Sequence, residues 1–292
     1  MQLSTKNMST PKIGWIGLGT MGNPMSQQLI KAGYNVTVYN RSKEKEEAIK
    51  AVGATTAPSP SALIQQTDVV LIMVSDDKAI QDIFYGDNGL LGAKVSGKVI
   101  VNMSTVSPAI SKEVSVKCLE QGNHYLDAPV SGSVKQAQEG SLVIMAGGDV
   151  AAFEQVKPIL EKLGKLAMLV GDNGAGNVAK LAINTLLGFA AQGLAEAVIL
   201  ARNNGIAPAD LTTLINNSAL GSIFGKIKGD AIVNDNYKAA FALKLIAKDL
   251  RLAKDIGLST PLGETVYQTF QQAEAKYGDE DIIAIIKHID NK

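Results

Sequence analysis

The chain has little of what disulfides, metal centres and base-stacking surfaces require. Its 292 residues include one cysteine and two histidines, and aromatic residues make up only 5% of it. The single Cys118 cannot form an internal disulfide, which suits a reducing cytoplasm. His124 and His288 lie far apart in sequence, so a Cys/His metal site is not expected. These absences predict a cytoplasmic protein without a structural metal.

The chain also lacks a charge excess, and a leader is not expected from its first residues. Lys plus Arg and Asp plus Glu number 28 each, so neither nucleic acid nor an anionic membrane is expected as a partner. Residues 1–11 contain no apolar run, which argues against a signal peptide and predicts a disordered lead-in or an alternative start at Met8. The longest apolar tract, Val178–Ala201, is predicted to be a buried helix rather than a membrane span. Its polar residues include Lys180, Asn184, Gln192 and Glu196.

The first part of the chain alternates β-rich runs with helical patterns. Predicted strands are Lys12–Ile16, Asn35–Tyr39, Val69–Val74, Val99–Asn102, Tyr125–Asp127, Leu142–Ala146 and Leu166–Leu169. Predicted helices between them are Met21–Ala32, Lys43–Ala51, Asp77–Phe84, Pro108–Gln121 and Ala151–Leu163. This alternation predicts an α/β Rossmann-type domain over residues 12–172, with a largely parallel, doubly wound sheet.

After Gly171 the strand pattern stops. Gly174–Asn203 reads as one long helix, and the Asn203-Asn204-Gly205 sequence is typical of a helix end. Further helices are predicted at Ala207–Asn217, Ser222–Asn234, Leu243–Ile256, Pro261–Lys276 and Glu280–Ile289. We therefore predict an all-α second domain, residues 173–292, entered through the long helix.

A glycine-rich turn follows the first predicted strand and precedes the first helix. Gly17, Gly19 and Gly22 have the G-x-G-x-x-G spacing. In dinucleotide-binding domains these glycines permit the tight turn, backbone approach to the pyrophosphate, and close helix–strand packing. Glycines also mark ordinary turns, but the strand before and the helix after favour a dinucleotide. The predicted contacts are Gly17, Leu18, Gly19, Thr20, Met21 and Gly22.

The end of the second strand predicts which dinucleotide binds. NAD-binding domains usually carry an acid there to hold the ribose 2′-hydroxyl, whereas this chain has Asn40-Arg41-Ser42. Arg41 can bind a 2′-phosphate in a bidentate manner, and Ser42 can donate to it. The alternative is a solvated arginine on a turn. We predict NADP(H), bound by Asn40, Arg41 and Ser42.

Hydroxyl residues follow two later strands. Met103-Ser104-Thr105 lies at a carboxyl strand end, where ligands bind in such sheets, although a helix N-cap ahead of Pro108 is the alternative, with Ser107 suited to either role. The turn Ser131-Gly132-Ser133 offers hydroxyls and backbone N–H groups to a carboxylate, or it is an ordinary turn. The predicted cofactor contacts also include Val74 and Thr105.

Two polar residues interrupt the start of the long helix. Lys180 and Asn184 are four residues apart and share a helix face. A buried ammonium is costly without a partner or a function, and burial near a helix N-terminus would lower the pKa of the lysine and ease proton transfer. The alternative is a lysine that extends to the surface.

Taken in order, these motifs resemble the β-hydroxyacid dehydrogenase family, including its NADPH-dependent glyoxylate/succinic semialdehyde reductase branch. They are Gly-Leu-Gly-Thr-Met-Gly, Met-Ser-Thr, Asp-Ala-Pro-Val-Ser-Gly, the Gly-x-Gly-x-x-x-Lys-x-x-x-Asn pattern that ends at Asn184, and Lys248-Asp249. The resemblance spans Lys12 to the C-terminal helix.

The resemblance implies a role for each matching residue. Lys180 is implied as the catalytic lysine and Asn184 as the residue that orients the substrate. Ser131, Gly132 and Ser133 would hold the substrate carboxylate near Thr105. Lys248 would contact the cofactor. Phe241 and Asp249 would line the same cleft, which is expected between the domains.

The sequence departs from the family at Ser133, where many relatives have glycine, at Ile183, where many have asparagine, and at Asn177, where 6-phosphogluconate dehydrogenases carry histidine. The last difference argues against oxidative decarboxylation of a sugar phosphate. We expect NADPH-dependent reduction of a small carboxylated aldehyde by a homodimer or homotetramer. Oxidation of a 3-hydroxy acid and a non-catalytic NADP-binding role are the alternatives.

Overall fold

Residues 10–290 of the chain are described by a computed structural model. Contacts between Cα atoms divide it into two units, Met1–Lys180 and Leu181–Lys292. The domain boundary predicted between residues 172 and 173 stays a prediction. The predicted lead-in over residues 1–11 falls almost entirely outside the described residues.

A nine-stranded sheet forms the centre of the first unit. Its strands, in chain order, are β1 (Ile13–Ile16), β2 (Val36–Tyr39), β3 (Thr55–Thr56), β4 (Val69–Ile72), β5 (Val99–Asn102), β6 (His124–Asp127), β7 (Val130–Ser131), β8 (Leu142–Gly148) and β9 (Gly164–Gly171). The spatial order is β3-β2-β1-β4-β5-β6-β8-β7, and β9 pairs with β8. The turn after β1 therefore lies where the strand order reverses direction, between β2 and β4. This is the position at which doubly wound sheets bind ligands.

Helices cover both faces of this sheet. They are α1 (Gly22–Lys31), α2 (Glu44–Lys50), α3 (Pro60–Gln65), α4 (Asp77–Tyr85), α5 (Pro108–Glu120), α6 (Val134–Glu139) and α7 (Val150–Leu160). Alternate residues of one strand enter different cores: Val69 and Leu71 belong to one apolar cluster, while Val70 and Ile72 belong to the other. A strand buried on both faces must be apolar at every position, which explains the continuous Val-Val-Leu-Ile run of β4.

The predicted Rossmann-type fold class is confirmed, and the sheet is largely parallel, as expected. β1, β2, β3, β4, β5 and β6 pair in parallel. β8 instead runs antiparallel to β6 and to β7, and β9 is parallel to β8. No long crossover helix separates β6 from β8, since only β7 and the short α6 lie between them. The chain therefore reverses locally. The two-residue strands β3 and β7 and the helices α3 and α6 are too short to give a periodic pattern, and the sequence did not predict them.

The second unit is helical. It contains most of α8 (Ala175–Asn203), followed by α9 (Pro208–Asn216), α10 (Ile223–Val233), α11 (Leu243–Asp255), α12 (Pro261–Tyr277) and α13 (Ile285–Asp290). Val198, Leu250 and Phe270 pack in its apolar core. The helix predicted over Glu280–Ile289 is shorter, because a 3-10 turn over Ile282–Ala284 precedes α13.

Among the described residues, α8 alone combines the length and hydropathy that a membrane span requires, and 44% of its apolar window is buried. Because the core helix of a soluble protein meets the same test, this is weak evidence for a span.

Candidate active site

The glycine turn has the geometry that a dinucleotide requires. Gly17 has a φ of 98°, and a Cβ atom there would lie 2.1 Å from the carbonyl oxygen of Met73. The indole nitrogen of Trp15 donates to the Gly17 carbonyl at 2.9 Å and fixes the turn. A Cβ at Gly19, by contrast, would have no neighbour within 4 Å. The turn therefore packs tightly against the protein at Gly17 and is unobstructed at Gly19. A pyrophosphate needs such open space to approach the backbone.

Asn40 connects this turn to the end of β2. Its side-chain oxygen accepts from the Leu18 backbone N–H at 2.8 Å, and its backbone N–H donates to the buried carboxylate of Glu46 at 2.8 Å. Lys43 donates to the same carboxylate at 2.8 Å and lies 4.5 Å from the Tyr39 ring centroid. Glu46 thus holds Lys43 beside it, while Arg41 is exposed. The contact of Arg41 with a cofactor phosphate stays a prediction.

Ser104 joins the ends of β4 and β5. Its buried hydroxyl accepts from the Val74 backbone N–H at 2.9 Å, and its own N–H donates to Asn102 at 3.0 Å. Thr105 is only partly buried. Ser107 caps α5 by accepting from Ile110 at 3.1 Å. The N-cap alternative therefore holds for Ser107, and Thr105 is the more accessible of the two hydroxyls at this strand end.

The predicted carboxylate loop is braced by Gln136. The Ser133 backbone N–H and hydroxyl both donate to the Gln136 side-chain oxygen, at 2.8 and 2.5 Å. Gly132 has a φ of 142°, and a Cβ atom there would lie 2.7 Å from Cδ2 of Leu142 and 3.1 Å from Cβ of Gln136. Both donors of Ser133 are therefore occupied. Among the described residues, no hydrogen bond joins the Ser131 hydroxyl to a loop neighbour, so Ser131 is the better donor to a substrate carboxylate.

The start of α8 is fixed by a buried carboxylate. Asp127, at the end of β6, accepts from the backbone N–H groups of Gly174 at 2.7 Å and Asn177 at 2.9 Å. Gly176 permits this approach, because a Cβ there would lie 2.4 Å from the Met145 carbonyl oxygen. Burial raises the pKa of Asp127 to about 6, and the backbone donors oppose that rise. A buried anion at a helix N-terminus stabilises the helix.

A chain of buried hydrogen bonds continues from this helix start into the sheet. The Asn177 side-chain nitrogen donates to Ser111 at 2.9 Å, and the Ser111 hydroxyl lies 3.3 Å from the Tyr125 hydroxyl. Asn102 then donates to Tyr125 at 3.0 Å. This network reaches from the first turn of α8 to the strand end that carries Ser104.

Lys180 lies one turn further along α8 and is 9% exposed. Asn184, in the second unit, is 2% exposed, and its side-chain nitrogen donates to Asp249 at 2.5 Å. Asp249 is also 3.1 Å from the ammonium of Lys248. The second unit therefore contains a buried amide–carboxylate pair, Asn184 and Asp249, beside the partly exposed Lys248.

Phe241 is placed by a different buried ion pair. Asp281 accepts from Lys228 at 2.7 and 2.9 Å, and from the backbone N–H of Phe241 at 3.3 Å. Both charged side chains are at least nine-tenths buried. This pair holds the segment that leads into α11.

The sequence did not identify the residues that support the site. Asp127 and Asn177 stood inside quoted motifs without a structural role, and Glu46, Gln136 and Asp281 were not singled out. Only Asp127 could have been recognised from the sequence, because an acidic residue at the end of a buried strand needs hydrogen-bond partners.

Comparisons with known proteins agree with this geometry. Residues 12–171 match the family model for the NAD binding domain of 6-phosphogluconate dehydrogenase, and residues 174–289 match that for NAD-binding of NADP-dependent 3-hydroxyisobutyrate dehydrogenase. The chain is 35% identical over 96% of its length to glyoxylate/succinic semialdehyde reductase 2 of Arabidopsis thaliana, of which it covers 80%. It is 34% identical over 92% of its length to 2-hydroxy-3-oxopropionate reductase of Escherichia coli, of which it covers 93%.

A solved structure of a dehydrogenase has the same fold. Mycobacterium tuberculosis 3-hydroxyisobutyrate dehydrogenase with L-serine superposes with a TM-score of 0.87 at 29% identity, covering 96% of this chain and 99% of that one. The chain belongs to the β-hydroxyacid dehydrogenase family. It is accordingly an NAD(P)-dependent hydroxyacid oxidoreductase, and the predicted NADP(H) cofactor is supported by the second family model. The roles of individual site residues stay predictions.

Proposed function

We propose that this β-hydroxyacid dehydrogenase reduces a small carboxylated aldehyde, of the glyoxylate or succinic semialdehyde type, with NADPH. One observation carries the proposal. Lys180 is 9% exposed, one turn into a helix whose start is clamped by the buried Asp127. A lysine side chain largely removed from water, on a helix whose start is held by buried hydrogen bonds, suits proton donation to an oxygen on which negative charge develops.

The protein's part in the reaction is binding, orientation and proton transfer. NADPH, when bound at the glycine turn, supplies the hydride that reduces the aldehyde carbon. Lys180 donates a proton to the aldehyde oxygen, so the carbonyl becomes a hydroxyl and the lysine becomes neutral until solvent reprotonates it. Asn184, held by Asp249 at 2.5 Å, orients the substrate. Holding the reactants in place is itself a large part of such catalysis.

Two features of the cofactor region favour NADPH over NADH. No acid directly follows Tyr39 at the end of β2, where a carboxylate would repel a 2′-phosphate. Arg41 is exposed at the adjoining turn and can make a charge-assisted bidentate contact with phosphate.

The experiment follows NADPH consumption by absorbance with glyoxylate, succinic semialdehyde, tartronate semialdehyde and methylmalonate semialdehyde, each repeated with NADH. Turnover of at least one aldehyde with NADPH, at a higher kcat/KM than with NADH, is the expected result. Turnover with NADH alone would refute the cofactor assignment. Absence of turnover with every pair would refute the substrate class.

Oxidation of a 3-hydroxy acid is the second candidate. The superposed M. tuberculosis dehydrogenase is described with L-serine, which is a 3-hydroxy acid. The same residues would then act in reverse, with a neutral Lys180 accepting the proton. Initial rates at neutral pH with NADP⁺ or NAD⁺ and 3-hydroxyisobutyrate or serine, compared with the aldehyde rates, separate the two directions.

A non-catalytic NADP-binding role is the third candidate. It predicts tight NADPH binding and no turnover in either direction. The buried Lys180 and Asn184 argue against it, because a protein without chemistry gains nothing from placing both groups at a helix start.

A further inference from the structure

We propose that Asn177 is a positioning residue for Lys180, fixing the catalytic lysine relative to the strand end that carries Thr105. The inference rests on the proposed function of Lys180. It assigns a task to a residue that touches neither substrate nor cofactor in that proposal.

The side chain of Asn177 is fully buried and uses both ends of its amide. Its oxygen accepts from the Val106 backbone N–H at 3.3 Å, and its nitrogen donates to Ser111 at 2.9 Å and to Asp127 at 3.3 Å. These partners belong to three different segments: the loop after β5, helix α5 and the end of β6. One side chain thus connects the first turn of α8 to three parts of the first unit.

The position of Asn177 on the helix couples it to the lysine. Asn177 precedes Lys180 by three residues, so the two side chains leave the same face of α8, one turn apart. With the amide held at three points, rotation or sliding of this turn would break buried hydrogen bonds. The Cα–Cβ direction of Lys180 is therefore set by the anchoring of Asn177.

The hydrogen bond to Val106 links this anchoring to a predicted binding residue. Val106 directly follows Thr105, which is predicted to contact both substrate and cofactor. The Asn177–Val106 hydrogen bond thus ties the helix of the proton donor to the loop of the predicted binding residue. A misplacement of about 1 Å at a reacting group can cost about a hundredfold in rate.

The variant Asn177→Ala loses these side-chain hydrogen bonds but keeps the hydrogen bond from the backbone N–H of residue 177 to Asp127. The matched control is Asn204→Ala, an exposed asparagine just beyond the other end of α8 whose side chain donates to Leu200. We expect Asn177→Ala to lower kcat about ten- to a hundredfold, with the Kd for NADPH unchanged. The solvent deuterium isotope effect on kcat should rise, because proton transfer from a misplaced lysine becomes rate-limiting. The control should match the wild-type protein.

A merely structural role for Asn177 predicts a lower Tm with an unchanged kcat and isotope effect in the folded enzyme, and that result would overturn the proposal. If Asn177→Ala does not fold, Asn177→Ser is measured against the same criteria. Hydrogen exchange over residues 175–181 without cofactor separates this proposal from the function itself. Faster exchange in the variant supports the anchoring even if no aldehyde is turned over, and unchanged exchange overturns it.

Discussion

Asp127 and Asn177 contact each other twice: the Oδ2 atom of Asp127 accepts from the backbone nitrogen of Asn177 at 2.9 Å and from its side-chain nitrogen at 3.3 Å. This pair joins the end of β6 to the first turn of the helix that carries Lys180. The carboxylate needs such donors because it is fully buried. Its titration is therefore linked to the stability of the first unit.

The first prediction concerns pH and the stability of the fold. Burial raises the pKa of Asp127 to about 6 from its ordinary value of 3.8. Between these values the folded state binds the proton and the unfolded state does not, so this group's contribution to stability falls as pH rises from about 4 to about 6. Among the titratable groups, Tyr125 interacts electrostatically with this carboxylate.

Denaturant unfolding of the wild-type protein and of Asp127→Asn at several pH values measures this contribution. The amide does not titrate, so the difference in unfolding free energy between the two proteins should change across the window, by up to about 3 kcal/mol. A difference that is independent of pH between about 4 and about 6 would contradict the raised pKa.

The second prediction concerns cofactor choice. Arg41→Ala should lower kcat/KM for NADPH about ten- to a hundredfold, as expected for loss of a charged hydrogen-bonding partner, and leave that for NADH nearly unchanged. Lys45→Ala, which alters another exposed cation just beyond the same turn, is the matched control and should change neither value. An equal loss with both cofactors would show that Arg41 does not recognise the 2′-phosphate.

The third prediction ranks the two serines of the carboxylate loop. Ser131→Ala should raise the KM for the aldehyde about tenfold, because it removes an available donor to the carboxylate. Ser133→Ala should raise it much less, since the Ser133 hydroxyl already donates to Gln136 at 2.5 Å. Steady-state kinetics of the two variants give the ranking. A larger effect at Ser133 would mean that Gln136 releases this hydroxyl to the substrate.

The fourth prediction concerns assembly. Along α8 in the second unit, Ile183, Leu186 and Leu200 are 42%, 66% and 68% exposed. We propose that a second copy of the chain covers this apolar face, giving a homodimer or homotetramer. Light scattering after gel filtration should show a multiple of the 30.7 kDa chain, and Leu186→Asp should shift it toward monomer. A wild-type protein that is monomeric at micromolar concentration would contradict this proposal.

The sequence predicted the elements whose residues alternate or repeat strongly. β1, β4 and β5 gave clear apolar runs, and α8 gave a long helical pattern that ends at Asn203. The reversal of β8 was not predicted, because strand direction depends on the connection rather than on the strand's own residues. The short β7 and α6 carry too few residues for a period to be recognised.

The site was predicted unevenly for a similar reason. Glycine spacing and a polar residue in an apolar helix are local signals, so Gly17, Gly19 and Lys180 could be identified. Asn177 acquires its role only through Ser111, Asp127 and Val106, which lie 50 to 71 residues away in sequence. A network between such distant residues cannot be predicted from a local sequence pattern.

The most direct test of the account is the kcat of Lys180→Ala with NADPH and the best aldehyde substrate, measured alongside the Kd for NADPH. Lys226→Ala, at an exposed lysine of α10, controls for loss of a positive charge. If Lys180 donates the proton, kcat falls by about 10² to 10⁴ while NADPH binding is retained. A Lys180→Ala enzyme whose kcat stays within about threefold of wild type would contradict the assignment of Lys180 as the general acid.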